Sequence, residues 1–222
     1  MIGASDMEAE QILTWYSGMH MVQENAPDVF DADAQLMLRF KRGDAEAFDQ
    51  LFARHTHAMV NFAFRFVRDR RVAEELAQEI FLRVYEGAAH YTVQSRFTTW
   101  LYRIATNVCL NEVRKPQFKA VHQPLSIERE PDPGLPSGDG ISGGPQKLLE
   151  RQALARALRE ALERIPEKQR TAFMLNKYQE LSYAEVAGIM KTSEKAVKSL
   201  IHRAKETLAE RLKPLMPELL SQ

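Results

Sequence analysis

Cysteine is almost missing from this chain: Cys109 is the only one in 222 residues. That excludes an internal disulfide framework and a thiolate-rich zinc site, and suits a reducing compartment. Missing too is any run near the ~20 consecutive apolar residues that a membrane span needs, since the most apolar early stretch, Ile12 to Val22, is short and interrupted. No Lys or Arg precedes Arg39, so the basic start of a secretion signal is absent. A soluble, cytoplasmic protein without membrane contact is expected. No period-2 alternation persists and no Asn-Gly or Asp-Gly turn sits between apolar runs, which argues against sheets and for an all-α chain. His and Asp do not cluster at metal spacing, and His55 and His57, two apart, point to different helix faces. The glycines of the stretch from Pro116 to Pro145 follow no strand and end in no Lys-Ser/Thr, which argues against a phosphate loop. No metal, cofactor or catalytic residue is expected, and the chain is not expected to be an enzyme.

What is present is charge, arranged in blocks. The 30 basic and 30 acidic residues cancel overall, but residues 1–32 carry six acids and no Lys or Arg. Residues 33–118 carry 13 basic against 10 acidic, 119–145 carry 2 against 4, and 146–222 carry 15 against 10. Two mildly basic blocks, preceded and separated by acidic ones, hint at a polyanionic partner. Between Pro116 and Pro145 lie six of the ten prolines and five of the ten glycines. Such a stretch cannot bury enough apolar surface to offset its ordering entropy and reads as a flexible linker. The organisation expected is an acidic extension over 1–32, a helical domain over 33–118, a linker over 119–147 and a second helical domain over 148–222.

In the first helical block, Asp33 can cap a helix that Gly43 ends, and Asp44 can cap another running to about Arg68. The second is expected to bury Phe48, Leu51, Phe52, Met59, Phe62 and Phe66. A helix from about Val72 to Ala89 puts Ala73, Leu76, Ala77, Ile80, Phe81 and Val84 on one face at ~100° per residue. Glu75, Gln78, Glu79 and Glu86 take the other, with Leu82 among them. That outer face reads either as a solvated acidic surface with one stray leucine, or as an apolar anchor with an acidic rim fit for a basic protein partner. A third helix, Phe97 to Lys115, ends at Pro116 and buries Phe97, Leu101, Ile104 and Val108. Its opposite side presents Thr99, Arg103, Thr106 and Arg114, edged by Trp100, Tyr102 and Asn107. These types can stack on unpaired bases and hold phosphates, or form an ordinary polar surface.

The second block opens with an amphipathic helix, Leu148 to Ile165, closed by Pro166, which starts another helix reaching about Tyr178. Ser182 caps a short helix, with Glu185 completing a capping box. Lys191-Thr192-Ser193 is a tight turn, and Glu194 to Leu212 is a long last helix. Short helix, three-residue turn and longer helix suit a helix-turn-helix, with Val186, Ile189, Val197 and Ile201 packed about the small Ala187. The last helix has an apolar stripe of Val197, Leu200, Ile201, Ala204 and Leu208. Lys195, Lys198, Ser199 and His202 project opposite it and Arg203 flanks them, in the half that enters the major groove in such motifs.

Taken together, Gly43-Asp44, Ala47-Phe48, Leu51-Phe52, Ala73-Glu-Glu-Leu-Ala-Gln-Glu79 with Phe81-Leu82, and Thr99-Trp-Leu-Tyr-Arg-Ile-Ala-Thr-Asn107 resemble domain 2 of the extracytoplasmic function sigma factors. Leu181-Ser-Tyr-Ala-Glu-Val-Ala187 and Ala196-Val-Lys-Ser-Leu-Ile-His-Arg-Ala-Lys205 resemble their domain 4. The resemblance implies two small helical domains that attach core RNA polymerase to a promoter. Glu75, Gln78, Glu79 and Leu82 would dock the clamp helices of the polymerase β′ subunit, and the helix Leu148 to Ile165 and its neighbours the β-flap. The loop from Tyr91 to Thr98, with Tyr91, Ser95 and Arg96, would capture a flipped base of the −10 element, and Trp100, Arg103 and Asn107 would support the melted strand. Lys195, Lys198, Ser199, His202 and Arg203 would contact the −35 element as duplex. An anti-sigma factor is a further partner the resemblance allows. The chain departs from the pattern where relatives often carry Gly, at Lys191 and Lys195, at Leu200 in place of a frequent Arg, and at Thr92-Val93 in place of a common Arg-Gly.

Reading duplex with one domain and single strand with the other requires a linker that spans more than one turn of DNA, ~34 Å. A flexible segment of the length of 119–147 has a typical end-to-end distance of ~30 Å and stretches well beyond it. With so small a positive excess on each block, free DNA binding is expected to be weak and to gain strength through effective concentration on polymerase. The acidic residues 1–32 are expected to weaken it further by covering basic surface. A chain starting at Asp33 should therefore bind promoter DNA more tightly at low salt than the full chain, and equal affinities discard the idea.

Overall fold

In a computed structural model of the chain, residues 31–121, 160–162 and 164–212 are described, and every regular element among them is helical. The described residues divide into two units, each taken by itself below.

The first unit begins at an aspartate. Helix α1, Ala32–Lys41, is capped by Asp31, whose side chain accepts from the N–H groups of Asp33 and Ala34. The cap is thus Asp31 and not Asp33, and Asp31 and Ala32 belong to this unit rather than to an acidic extension. Asp33, inside the first turn, turns its carboxylate to Arg54 and to His55, whose Nε2 lies 2.8 Å away. Gly43, at φ 100°, takes the left-handed backbone that lets the chain reverse after α1. Asp44 then caps α2, Ala45–Val67, as expected, and is held by Arg39, whose guanidinium keeps the Asp44 carboxyl below the usual range. Helix α3, Arg70–Gly87, starts at an Asp69 cap and passes through a 3-10 turn, Ala88–His90, so its helical course begins two residues before the expected start. Helix α4 covers Phe97–Arg114. Pro116 does not end helical structure: after a break at Lys115 it opens α5, Pro116–Val121, where a proline costs no hydrogen bond.

The core of this unit lies where α2 packs on α3, α4 and α1. The second half of α2 is buried almost all round, with Met59, Val60, Phe62, Ala63, Phe64, Phe66 and Val67 out of solvent, because helices flank it on several sides. All six residues expected on the inner face of α3 are buried. Two expectations for α2 fail: Phe52 is 40% exposed and Phe48 only half-buried, although Phe48 meets Phe40 of α1 and Tyr85 of α3 and Phe52 meets Phe81 of α3. On α4 the buried sector is wider than the apolar stripe. Thr99, Tyr102 and Thr106 are buried, while Ile104 is only half-buried. Phe97, Leu101 and Val108, all buried, together deliver roughly 4.5–9 kcal/mol of apolar transfer, enough to carry two threonine hydroxyls inside.

In the second unit, α6, Glu167–Lys177, follows Pro166, which occupies the cap position. Residues 160–162 are helical, and Ala161, Leu162 and Ile165 are buried; the remainder of the helix expected over 148–165 lies outside the described residues. Helix α7, Tyr183–Met190, begins at the expected capping box, with Ser182 and Glu185 each bonding the other's backbone N–H. The buried Asn176 donates to the Leu181 carbonyl at 2.9 Å, tying the end of α6 to the approach to α7. Helix α8, Glu194–Leu212, follows the turn Lys191–Ser193, whose Ser193 hydroxyl accepts from Ala196 N–H. Val186, Ala187, Ile189, Val197, Ile201, Ala204 and Leu208 are buried, as expected, and Leu200 is half-buried.

Lys191 carries the sharp reversal between α7 and α8 at φ 51°, ψ 51°, a left-handed conformation. A Cβ there costs roughly 1–2 kcal/mol, and glycine gives part of that back as extra freedom in the unfolded chain. Lys191→Gly is expected to stabilise this unit by about 1 kcal/mol, read as a higher urea midpoint of the full chain; a lower midpoint contradicts the backbone assignment.

Candidate polymerase and nucleic-acid interfaces

Three surfaces are built from the residues singled out by sequence. The first is the outer face of α3. Glu75, Gln78 and Leu82 are exposed and Glu79 is half-exposed. Glu75 pairs with Arg71 at 3.6 Å and Glu79 with Arg83 at 2.8 Å, exposed pairs one helical turn apart that contribute little to stability and leave the acids free to exchange partners. The apolar anchor is larger than one leucine. Tyr85, one turn after Leu82, is 56% exposed, and its ring meets Phe40 and Phe48 at 5.0 and 5.4 Å. Phe52 stands 4.8 Å from Phe81. Leu82, Tyr85 and Phe52 are thus large exposed apolar side chains around the ring cluster of Phe40, Phe48 and Phe81. The i, i+3 spacing of Leu82 and Tyr85 was the signal that sequence reasoning passed over; the place of Phe52 came only with the helix packing.

The second surface is the loop after α3 and the outer side of α4. Trp100, half-buried, shares a helix face with the exposed Arg103 and Asn107, so these three are brought together. Ser95 is exposed and Arg96 half-buried. Tyr91 differs from its expected role. Its side chain is 2% exposed, edge-on to Trp100 at 5.0 Å and to Phe97 at 6.3 Å, so as placed it supports the loop from within and offers no face to a base. Its hydroxyl has no hydrogen-bond partner. Thr99 and Thr106 leave the polar side for the core. Gly87 closes this cluster: a Cβ there would stand 3.2 Å from the Trp100 ring.

Two charged groups from α1 hold the ends of that loop. The Lys41 ammonium donates to the Tyr91 carbonyl at 2.9 Å, and the Phe97 N–H donates to Asp31 Oδ2. Neither contact was foreseen, because each joins residues more than 45 positions apart in sequence and leaves no local pattern.

The third surface is the N-terminal half of α8. Lys195, Lys198, Ser199, His202 and Arg203 are all exposed, and the first four fall along one stripe. The Lys198 ammonium lies 5.5 Å from the Tyr183 ring, a cation–π contact from α8 back to α7, and His202 Nε2 is 3.3 Å from Glu206. Among the described residues no group of His, Cys, Asp or Glu could hold a metal, and none of the described helices is long and apolar enough to cross a membrane. Burial pushes the Cys109 thiol well above its ordinary range, with the Glu112 charge adding to it.

The described residues form two helical units, one of them carrying a helix-turn-helix, and comparison with known proteins says which class this is. Residues 51–118 match the family Sigma-70 region 2, and residues 155–208 match Sigma-70, region 4. The chain is 32% identical to the RNA polymerase sigma-H factor of Pseudomonas aeruginosa, over 85% of its own length and 97% of that relative. It is 30% identical to the ECF RNA polymerase sigma factor SigW of Bacillus subtilis, over 79% and 94%, and 32% identical to the ECF RNA polymerase sigma-E factor of Escherichia coli, over 83% and 96%. Among solved structures it is similar in fold to CnrH in complex with the cytosolic domain of CnrY, with a TM-score of 0.59 at 23% identity over 83% of this chain and 99% of that one. The sigma factor RpoE in complex with the anti-sigma factor NepR from Bartonella quintana gives 0.57 at 23% identity, over 75% and 96%. The chain belongs to the extracytoplasmic function branch of the sigma-70 family.

The Tyr91 phenol is pushed up to about 12 by burial, with the Asp31 and Asp33 charges adding to it, and burial pushes the Tyr102 phenol to about 12 against the opposing pull of Arg65. A phenol whose pKa is raised by folding contributes stability that is present below its ordinary value of 10.0 and lost as pH rises through about 12. On alkaline titration of the full chain, part of the tyrosinate absorbance is expected to appear only near pH 12 and together with loss of helical circular dichroism. Tyr91→Phe should shrink that late step; an unchanged step contradicts the burial of Tyr91.

Proposed function

We propose that this sigma factor divides promoter recognition between its two units, one reading intact duplex and the other stabilising separated strand, while the face of α3 holds core RNA polymerase. The chain directs promoter recognition and transcription initiation with core polymerase. The observation that carries the division of labour is the exposure, on separate units, of two chemically different DNA-facing sets. Lys195, Lys198, Ser199, His202 and Arg203 form a basic stripe on a helix-turn-helix, suited to a −35 duplex. Trp100, Arg103, Asn107, Ser95 and Arg96 offer a ring, guanidinium groups, an amide and a hydroxyl beside a short loop, suited to unpaired −10 bases.

Unstacking a base costs a few kcal/mol, which contacts on the loop and α4 must offset. Glu75, Gln78, Glu79 and Leu82 make the polymerase contact on the β′ clamp helices, with Tyr85 and Phe52 widening its apolar centre. The second unit meets the β-flap. An anti-sigma factor that covers these faces is a further partner in this reading, in keeping with the RpoE–NepR complex. In this reading the protein acts where core polymerase acts, in the cytoplasm.

The test is transcription with purified core polymerase and start-site mapping. The full chain is expected to direct initiation at discrete start sites; none at any genomic site sinks the reading. Leu82→Arg puts a charge into the apolar centre and should weaken core binding by roughly tenfold or more while leaving duplex binding unchanged. Lys198→Ala should weaken binding to a −35 duplex by roughly tenfold and spare core binding. A regulator that binds its DNA through 166–212 without polymerase would not co-purify with core, and Leu82→Arg would leave its DNA binding intact.

A further inference from the structure

We propose that Asp31, assisted by Lys41, is a positioning residue for the loop 91–96: it sets where the loop stands and thereby how well it captures unpaired promoter strand. The inference rests on the reading of that loop as the strand-capturing element and adds the residues that hold it.

The geometry is unusual for a helix cap. Asp31 Oδ1 accepts from Asp33 N–H at 3.0 Å and Ala34 N–H at 3.2 Å, the ordinary cap of α1. Asp31 Oδ2 accepts from the N–H of Phe97, the first residue of α4, 66 positions away. The residue at the cap position of α4, Arg96, makes no side-chain cap bond, so Asp31 provides the side-chain acceptor that α4's own cap residue does not. Each helix start carries about half a positive charge, and two that converge repel unless an anion lies between them. One carboxylate serves both.

The other end of the loop is held from the same helix. Lys41, in the last turn of α1, donates to the Tyr91 carbonyl. Helix α1 thus spans the loop as a strut with a carboxylate at one end and an ammonium at the other. Inside the strut, the Tyr91 ring packs on Phe97 and Trp100, and His55 stands 5.5 Å from Phe97. Between the clamped ends, Thr92, Val93, Gln94 and Ser95 are exposed, the arrangement of a short presenting loop on fixed posts. Capture of a flipped base depends on donors and rings held to a fraction of an ångström, so the posts matter to strand binding more than to folding.

Asp31→Asn separates the two roles. The amide oxygen still caps α1, since Asn is as good a cap as Asp, but the amide nitrogen cannot accept from Phe97 N–H. Asp69→Asn is the control, because Asp69 caps only α3 through Val72 N–H. Holoenzyme is assembled from core polymerase and the full chain, on a promoter mapped with the wild type. The probes are a −35 duplex and a single-stranded −10 oligonucleotide from that promoter. Asp31→Asn is expected to lower affinity for the −10 strand and permanganate reactivity of the melted region by roughly five- to tenfold. Core binding and −35 duplex binding should stay as in wild type, and the full chain should remain folded with only a small drop in melting midpoint, since one charge-assisted bond is lost. Lys41→Met should act in the same direction, and Asp69→Asn should do nothing to strand binding.

A chain carrying Trp15→Phe leaves Trp100 as the single reporter, and its fluorescence should shift on adding Asp31→Asn. A merely structural role for Asp31 would lower the melting curve and all three affinities together, and that pattern overturns the proposal. So does strand binding that falls with Trp100→Ala but not with Asp31→Asn or Lys41→Met, which leaves the reading of the loop standing. Strand binding indifferent to Trp100→Ala, Arg103→Ala and Asp31→Asn alike removes that reading and this inference with it.

Discussion

A single carboxylate placed between two helix starts organises the first unit. Without Asp31, the first turns of α1 and α4 would face one another with like partial charges, and Phe97 N–H would have no side-chain acceptor. With it, α1 is fixed across the end of α4, Lys41 reaches the Tyr91 carbonyl, and the loop between α3 and α4 is pinned at both ends. The rings of Tyr91, Phe97 and Trp100 pack together behind that clamp, and Arg103 and Asn107 stand exposed on the helix face that Trp100 shares. The same strut carries Asp33 to Arg54 and His55, which ties α1 to α2. Short polar contacts of this kind add little to total stability beside the apolar core; their effect is on position.

The second unit solves a related problem by local chemistry. The capping box of Ser182 and Glu185 sets the start of α7, the left-handed Lys191 sets its end, and Ser193 opens α8. Three local devices within twelve residues fix the angle at which α8 presents its basic stripe. Each basic block carries only a small positive excess, 13 basic against 10 acidic residues over 33–118 and 15 against 10 over 146–222.

Local signals carried the sequence reading a long way. The caps at Asp44 and Ser182, the inner face of α3, the turn at Lys191 and the stripe on α8 all rest on interactions within about five residues, and each was legible. The first cap slipped from Asp31 to Asp33 because two aspartates flank one alanine and either can cap by pattern alone. An acidic truncation that stops at Asp33 also removes Asp31, so it has to end before that residue to test charge alone. Thr99, Thr106 and Tyr102 are buried against their polarity, because polarity predicts exposure only on average and a wide contact with neighbouring helices buries whatever lies under it.

From sequence alone came the helical class, the two-domain order and the chemical character of each surface, since periodicity, capping and charge depend on near neighbours along the chain. Tertiary structure decided that Phe52 stands exposed with Tyr85 and Leu82 around one ring cluster, that Tyr91 turns inward, and that Asp31 and Lys41 clamp a loop more than 45 residues distant. Those outcomes depend on which helices meet, and contacts between distant segments leave no periodic trace in a single sequence.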